Sequence, residues 1–283
     1  LAVGAFLGGI AAATLGAGTA FVLDSLTFLV SAWCISRVVM PVVAKSVELP
    51  QTGWLDFVDG FRYLWQAPFI LAIALVKAAG SLVWGGINVL EVTYAGQVFP
   101  LSDSIFRQVF HIENGGTAAL GMIYIVSGLG TGLGPLVMRH WLGDRRQRML
   151  TGISLGFVLL VVGIVILGRS GTLPVYLMGT LVRTVGTGTV WVFSAALLQI
   201  MTPDRFRGRV FAFEFAALTL TQSISTFFAG YAQDSLGMGV RQVTAVFAWL
   251  GVVVSLVWLV VYWRAHVAGW DESPAPAMST HGD

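Results

Sequence analysis

The chain is short of cysteine, of charge and of nucleotide-binding signatures, and each shortage narrows what it can be. Cys34 is the single cysteine in 283 residues. An internal disulfide is therefore excluded, and its place in an apolar run marks it as packing. Charged residues make up only 11% of the chain, where a soluble domain carries roughly 25%. That is too few to coat a water-facing surface. The net charge is +2, and the basic residues lie singly or in short turn clusters rather than in a stripe beside aromatics, so no nucleic-acid partner is expected. His111, His140, His266 and His281 are far apart in sequence, and no metal site is expected. Neither Lys45 nor Lys77 follows a glycine, so no phosphate-binding loop of the Walker type is present. No histidine lies inside a long apolar run, which removes a buried serine–histidine pair. These absences argue against an ATP-driven pump, an intramembrane protease or any other enzyme. No cofactor is expected. The chain opens at Leu1 inside an apolar run, without the basic lead-in of a signal peptide, and is expected to be a fragment whose N-terminus is missing.

What fills the chain instead is apolar. It is 56% hydrophobic, with a mean hydropathy of +0.82, and a bilayer is the solvent that suits such a composition. Spanning helices need about 20 mostly apolar residues. Eight runs qualify: residues 1–14 (cut short), 19–40, 68–94, 115–138, 149–168, 173–200, 209–232 and 241–263. Barrel strands would be about 10 residues of alternating polarity; these runs are longer and uniformly apolar. The expected fold is an all-α polytopic membrane helix bundle. Of the 16 lysines and arginines, eleven fall in alternate connections, among them Arg205, Arg207 and Arg209. The other connections hold only Arg107, Arg169 and Arg241. By the positive-inside rule the rich set is cytoplasmic, as is the C-terminus, in a plasma (inner) membrane.

The two remaining cations, Lys77 and Arg183, lie inside the apolar runs. Each is about 9 residues from a proline at the start of its run, hence roughly 14 Å deep at 1.5 Å per residue. At that depth a cation needs water, an anion or a carboxylate. The visible acids fit poorly as partners on these helix limits. Asp24 and Glu91 fall near the outer surface and Glu214 near the inner, so a substrate anion or an unseen helix is expected to meet the cations. Polar stripes run beside them at helical spacing: Lys77, Ser81, Trp84, Asn88 and Glu91 on one helix; Thr180, Arg183, Thr187, Trp191 and Ser194 on a second; Glu214, Thr221, Gln222 and Ser225 on a third. Pairing that merely fixes packing is the plainer alternative for the two cations, as the helix macrodipole is for Glu214. The runs at 149–168 and 241–263 lack internal charge and are expected to face lipid over most of their surface. Small-xxx-small faces occur at Gly4 and Gly8, at Gly128 and Gly132, and at Gly130 and Gly134, suited to close helix packing. The segment 48–68 is expected to hold an amphipathic helix with Phe57, Phe61 and Leu64 on its apolar face. In "TPDRFRGRV" (202–210), Pro203 ends one helix and Gly208 is expected to allow a tight turn.

Several pieces resemble the major facilitator superfamily, in the branch of drug and siderophore exporters that includes macrolide-efflux and enterobactin-export proteins. "VGAFLGG" is similar to that family's fifth-helix motif, with Ala5 where proline is common. "AFVLDSLTFLVSA", carrying Asp24, resembles the sixth helix, and "FVDGFRYLWQAP" the linker before the seventh. "GLGPLVMRHWLGDRRQR" resembles the loop between helices eight and nine, with Met138 where an aspartate often stands. The Arg-Gly-Arg-Val core of "TPDRFRGRVFA" is the most specific match. The resemblance implies about 8 of 12 helices of a fold with two six-helix bundles around a midplane cavity. Residues 1–40 would close the N-terminal bundle, 41–67 would link, 68–265 would form the C-terminal bundle, and 266–283 would be a disordered cytoplasmic tail. It also implies that helices seven, ten and eleven line the cavity, while nine and twelve are peripheral.

The expected activity is secondary transport, as a proton-coupled exporter of small molecules, drug-like or anionic and siderophore-like. The expected substrate pathway is Lys77, Ser81, Trp84, Asn88, Arg183, Thr187, Trp191 and Gln222. Coupling or gating is expected at Glu214, Asp24, Arg205, Arg207 and Arg209. The partners would be membrane lipids and the substrate, with the protein monomeric. A lysolipid translocator or uptake permease of the same fold is the alternative within transport, and a non-transporting scaffold or sensor the alternative outside it.

Overall fold

In a computed structural model, the described residues are 17–38, 53–101, 115–143, 145–267 and 269. All regular structure among them is helical. The helices are α1 (Ala17–Ser36), α2 (Gly53–Gln66), α3 (Pro68–Thr93), α4 (Gly115–Leu142), α5 (Arg146–Arg169), α6 (Leu173–Met201), α7 (Asp204–Asp234) and α8 (Val240–Val267). Six of them, α3 to α8, are long and apolar enough to cross a bilayer, and α1 offers a shorter apolar stretch, Phe21–Ser36. The run at 1–14 with Gly4 and Gly8, Lys45, Arg107 and residues 270–283 of the tail lie outside the described residues.

Local chemistry sets the helix limits. Pro68 and Pro174 sit in the first turns of α3 and α6, where proline's missing N–H costs nothing. Gly143 ends α4 at φ 83°, its N–H bonding the Arg139 carbonyl, as a glycine C-terminal cap does. Two limits differ from the sequence reading. Helix α3 does not stop near residue 94 but runs on through a π-turn, Tyr94–Val98. Helix α7 begins at Asp204, so Gly208 is an exposed residue within the helix rather than the pivot of a turn. The break between α6 and α7 is only Thr202 and Pro203. Proline there suits a helix start, and Asp204 in the first turn suits the helix dipole.

Helices α3 to α8 pack as one bundle. α3 and α7 form a close pair, α6 is flanked by α4 and α5, and α8 lies on α5 and α3. The α5–α6 seam is built on glycine. A Cβ at Gly156 would lie 2.9 Å from the Gly186 carbonyl oxygen, and one at Gly163 would lie 2.6 Å from the Arg183 Cα. Only glycine admits such an approach. The expectation that this run faces lipid over most of its surface is thus corrected, because one face of α5 is closed by α6. Helix α8 does expose a broad apolar surface, including Trp249, Val253, Leu256 and Trp263. On α4, the Gly130–Gly134 face meets Thr184 and Val185 of α6, and Gly128 is buried. Gly132, placed in a packing face from the sequence, has nothing within 4 Å of an added Cβ.

Helix α2 lies at the end of the bundle where α3 and α7 begin. Its docked face is Gly60, Tyr63, Leu64 and Ala67, all buried. Leu64 was expected there, whereas Phe61 is 43% exposed and touches Phe213 only at its edge of the interface. The side chain of Phe57 is outside the description. The Tyr63 ring stacks on Phe206 of α7 with centroids 4.5 Å apart. Burial pushes the Tyr63 phenol above its ordinary pKa.

Candidate functional site

The polar stripes of α3, α6 and α7 turn toward one another. Lys77 of α3 reaches Glu214 of α7, with Nζ 3.0 Å from Oε1, and both side chains are buried, 6% and 4% exposed. The same ammonium lies 4.6 Å from the centre of the Trp191 ring, a cation–π contact across to α6. Trp191 in turn tilts against Trp84 at 6.4 Å. Farther along α3, Arg183 of α6 forms a salt bridge through Nη2 with Glu91 Oε1, also fully buried. Its Nη1 donates to Asn88 Oδ1 at 3.5 Å. Two cations and two carboxylates thus form two closed pairs inside the membrane-spanning part of the bundle.

These pairs correct the expectation that the visible acids fit poorly. The cause is the two helix limits described above. With α7 starting at Asp204, Glu214 lies ten residues in, about 15 Å from the helix end at 1.5 Å per residue. Continuing α3 to Val98 puts Glu91 about 10 Å from that end. Both acids therefore sit at the depth of the cations. The macrodipole, which fades within the first turn, does not account for Glu214. Asp24 is exposed on α1 and is not brought to either pair.

Hydroxyl rungs tie α3 to α7 between the ion pairs. Ser81 and Thr221 hydroxyls meet at 2.5 Å. The Ser225 hydroxyl donates to the Leu82 carbonyl at 2.7 Å and accepts from the Gly86 N–H at 2.8 Å. On α6, Thr187 donates to the Arg183 carbonyl of its own helix at 3.0 Å, and it is half-buried.

Past the Arg183 pair, at the end of the bundle opposite α2, a cleft of about 690 Å³ opens between α3, α7 and the turn into α8. Asn88 and Gln222 of the expected pathway line it. So do Thr93, Gln97, Thr226, Gln233 and Asp234, which the sequence reading passed over. The signal was present: Gln222, Thr226, Gly230 and Gln233 continue the α7 stripe at intervals of four, four and three. The arginines of "TPDRFRGRV" lie at the opposite end. Arg207 pairs with Asp204 at 2.5 Å, and Arg209 approaches Asp59 of α2 at 4.0 Å and the Phe206 ring at 5.8 Å. Arg205 is exposed beside the same ring, at 5.6 Å.

Comparison with known proteins agrees with a membrane bundle of this kind. A solved structure described as "Crystal structure of auto inhibited POT family peptide transporter" superposes with a TM-score of 0.58 at 12% identity, covering 99% of this chain and 68% of that one. At that identity the likeness concerns the fold alone. No curated protein matches. Residues 1–213 match the Major Facilitator Superfamily, which is well over half of the 283 residues. The chain therefore belongs to the Major Facilitator Superfamily.

Proposed function

We propose that this secondary transporter is a proton-coupled exporter of small polar molecules, working by alternating access between two bundles. The observation that carries the reading is the buried Lys77–Glu214 pair. A charged pair held out of water has a high desolvation cost, so it is poor evidence of a stabilising role. It is well suited to a proton step. Protonating Glu214 cancels the attraction and leaves Lys77 free to swing on its flexible stem. The Arg183–Glu91 pair suits a fixed role, because arginine stays charged and its planar fork holds a carboxylate in one geometry. Because both cations are paired, neither is free to draw an anion. This removes the ground for a preference toward anionic, siderophore-like substrates. Trp84, Trp191, Asn88, Thr187 and Gln222 would line the substrate's path. The basic turns, including Arg205, Arg207 and Arg209, would face the cytoplasm by the positive-inside rule. The driving force would be the proton gradient of a plasma or inner membrane, with the protein a monomer among lipids. Efflux as the direction rests on the motif resemblance.

A lysolipid translocator has one observation in its favour. An apolar groove of about 420 Å³ between α3, α5 and α8 is lined by Pro68, Leu75, Phe157, Val254 and Trp258, among others. Proteoliposome flux separates the readings. A pH gradient should drive transport of polar solutes, and Glu214→Gln should abolish the drive while leaving gradient-free exchange. Full pH-driven transport by Glu214→Gln would overturn the proton step. Transport of lysolipid but of no polar solute would favour the second reading.

A further inference from the structure

The cleft opposite α2 has a charge pattern that selects its occupant. Its walls carry amides and hydroxyls from Asn88, Thr93, Gln97, Gln222, Thr226 and Gln233. Gln97 and Gln222 make no side-chain hydrogen bond among the described residues, so their donors and acceptors are open to a ligand. Gln233 uses its amide N–H on the Ala229 carbonyl at 3.2 Å, which leaves its oxygen. Asn88 uses its oxygen on Arg183 at 3.5 Å, which leaves its amide donors. The lining contains one ionisable group, Asp234. It stands at the C-terminal end of α7, which has no basic residue in its last turn, so the carboxylate adds to the negative end of the helix dipole. Asp234 has no ion-pair partner among the described residues. The nearby cations are turned elsewhere: Arg183 to Glu91, and Arg241 to the Ser170 carbonyl at 2.9 Å.

We propose that this cleft binds polar organic cations, a protonated amine meeting Asp234 while hydroxyl or amide groups of the ligand meet Gln97, Gln222 and Gln233. The volume, about 690 Å³, is that of a drug-sized ligand site, for which about 300–1,000 Å³ is usual. The proposal names the substrate class of the transporter proposed above and rests on that reading. Binding and flux are therefore measured apart.

The test uses the full chain in lipid nanodiscs and three trisaccharides of like size: deacetylated chitotriose (cationic), acetylated chitotriose (neutral) and trigalacturonate (anionic). Equilibrium binding should rank them cation, neutral, anion, with the cation at least about twofold tighter than the anion, the scale of one solvent-exposed ion pair, about 0.2–1 kcal/mol. Asp234→Asn should weaken the cation about two- to fivefold and leave the neutral sugar unchanged, while Asp234→Glu should restore the cation. Gln233→Leu should weaken all binding that remains. Asp234 is exposed, so the Asp234→Asn and Asp234→Glu variants should keep the wild-type unfolding profile. No binding of any probe, an anion bound as tightly as the cation, or a cation affinity untouched by Asp234→Asn would each overturn the site. Charge-selective binding without flux in proteoliposomes would support the site and refute the transport reading.

Discussion

Replacing Glu91 by glutamine should be among the most damaging single changes in the bundle. The substitution keeps the size of the side chain and removes its charge, leaving the Arg183 guanidinium 3% exposed without its carboxylate. Removing one partner of a buried ion pair costs about 3–5 kcal/mol. A lone arginine at the centre of a membrane helix costs about 2.5–3.5 kcal/mol on insertion scales. Both routes give about 3 kcal/mol, more than a hundredfold in the folding equilibrium. The double variant Glu91→Gln/Arg183→Gln has no stranded charge and should cost less than either single change, giving a coupling of about 2 kcal/mol or more. Reversible unfolding in mixed micelles of dodecyl sulfate and maltoside, followed by tryptophan fluorescence, measures all four corners of the cycle. A cost below about 1 kcal/mol for Glu91→Gln, or a double variant as costly as the two singles summed, would refute a closed, desolvated pair.

Two further changes probe the packing. Gly163→Ala places a Cβ 2.6 Å from the Arg183 Cα and should cost about 1–3 kcal/mol by overpacking. Gly132→Ala has nothing within 4 Å and should fall within about 1 kcal/mol of wild type, on the stabilising side; thermal unfolding in detergent compares them. Tyr63→Ala removes the ring stacked on Phe206, a truncation worth about 3–5 kcal/mol for a buried aromatic. It should undock α2 and speed limited proteolysis within 53–66 at least about tenfold, with the spanning helices still folded.

The six long helices were legible because membrane spans are read from length and apolarity, and the three polar stripes because a period of 3.6 is written in the order of residues. The pairing of those stripes was not. Lys77 and Glu214, like Glu91 and Arg183, are close only through the rotation and depth of helices far apart in sequence. A few residues at a helix end shift depth by several ångströms. Extending α7 back to Asp204 and α3 on to Val98 moved two carboxylates from the rims to the level of the cations. Gly208 belongs to the same shift of helix limit: a glycine five residues past Pro203 suggests a turn, but its helix cost of about 1 kcal/mol is outweighed once α7 starts at Asp204. The α5–α6 seam was written in Gly156, Gly163, Gly179 and Gly186. Gly152 and Gly156, four apart and both packed on α6, form a small-xxx-small face that was legible in the sequence but passed over. From Gly156 to Gly163 and from Gly179 to Gly186 the spacing is seven, and that part of the seam has no such signature.

Helix α2 has a mechanical consequence. It is joined to α3 through Ala67 alone, and it is stacked on the first turn of α7 through Tyr63 and Phe206. It therefore straps together the two helices that carry Lys77 and Glu214, and the Ser81–Thr221 and Ser225 rungs rivet them again higher up. The pair is thus held at its α2 end and at mid-helix, while its far end opens into the cleft lined by Thr93, Gln97 and Gln233. Lys77 and Glu214 lie on the clamped stretch between the α2 strap and the hydroxyl rungs, so a parting of the two calls first on torsions of their side chains, and the unclamped far ends of α3 and α7 are where the two helices are free to splay.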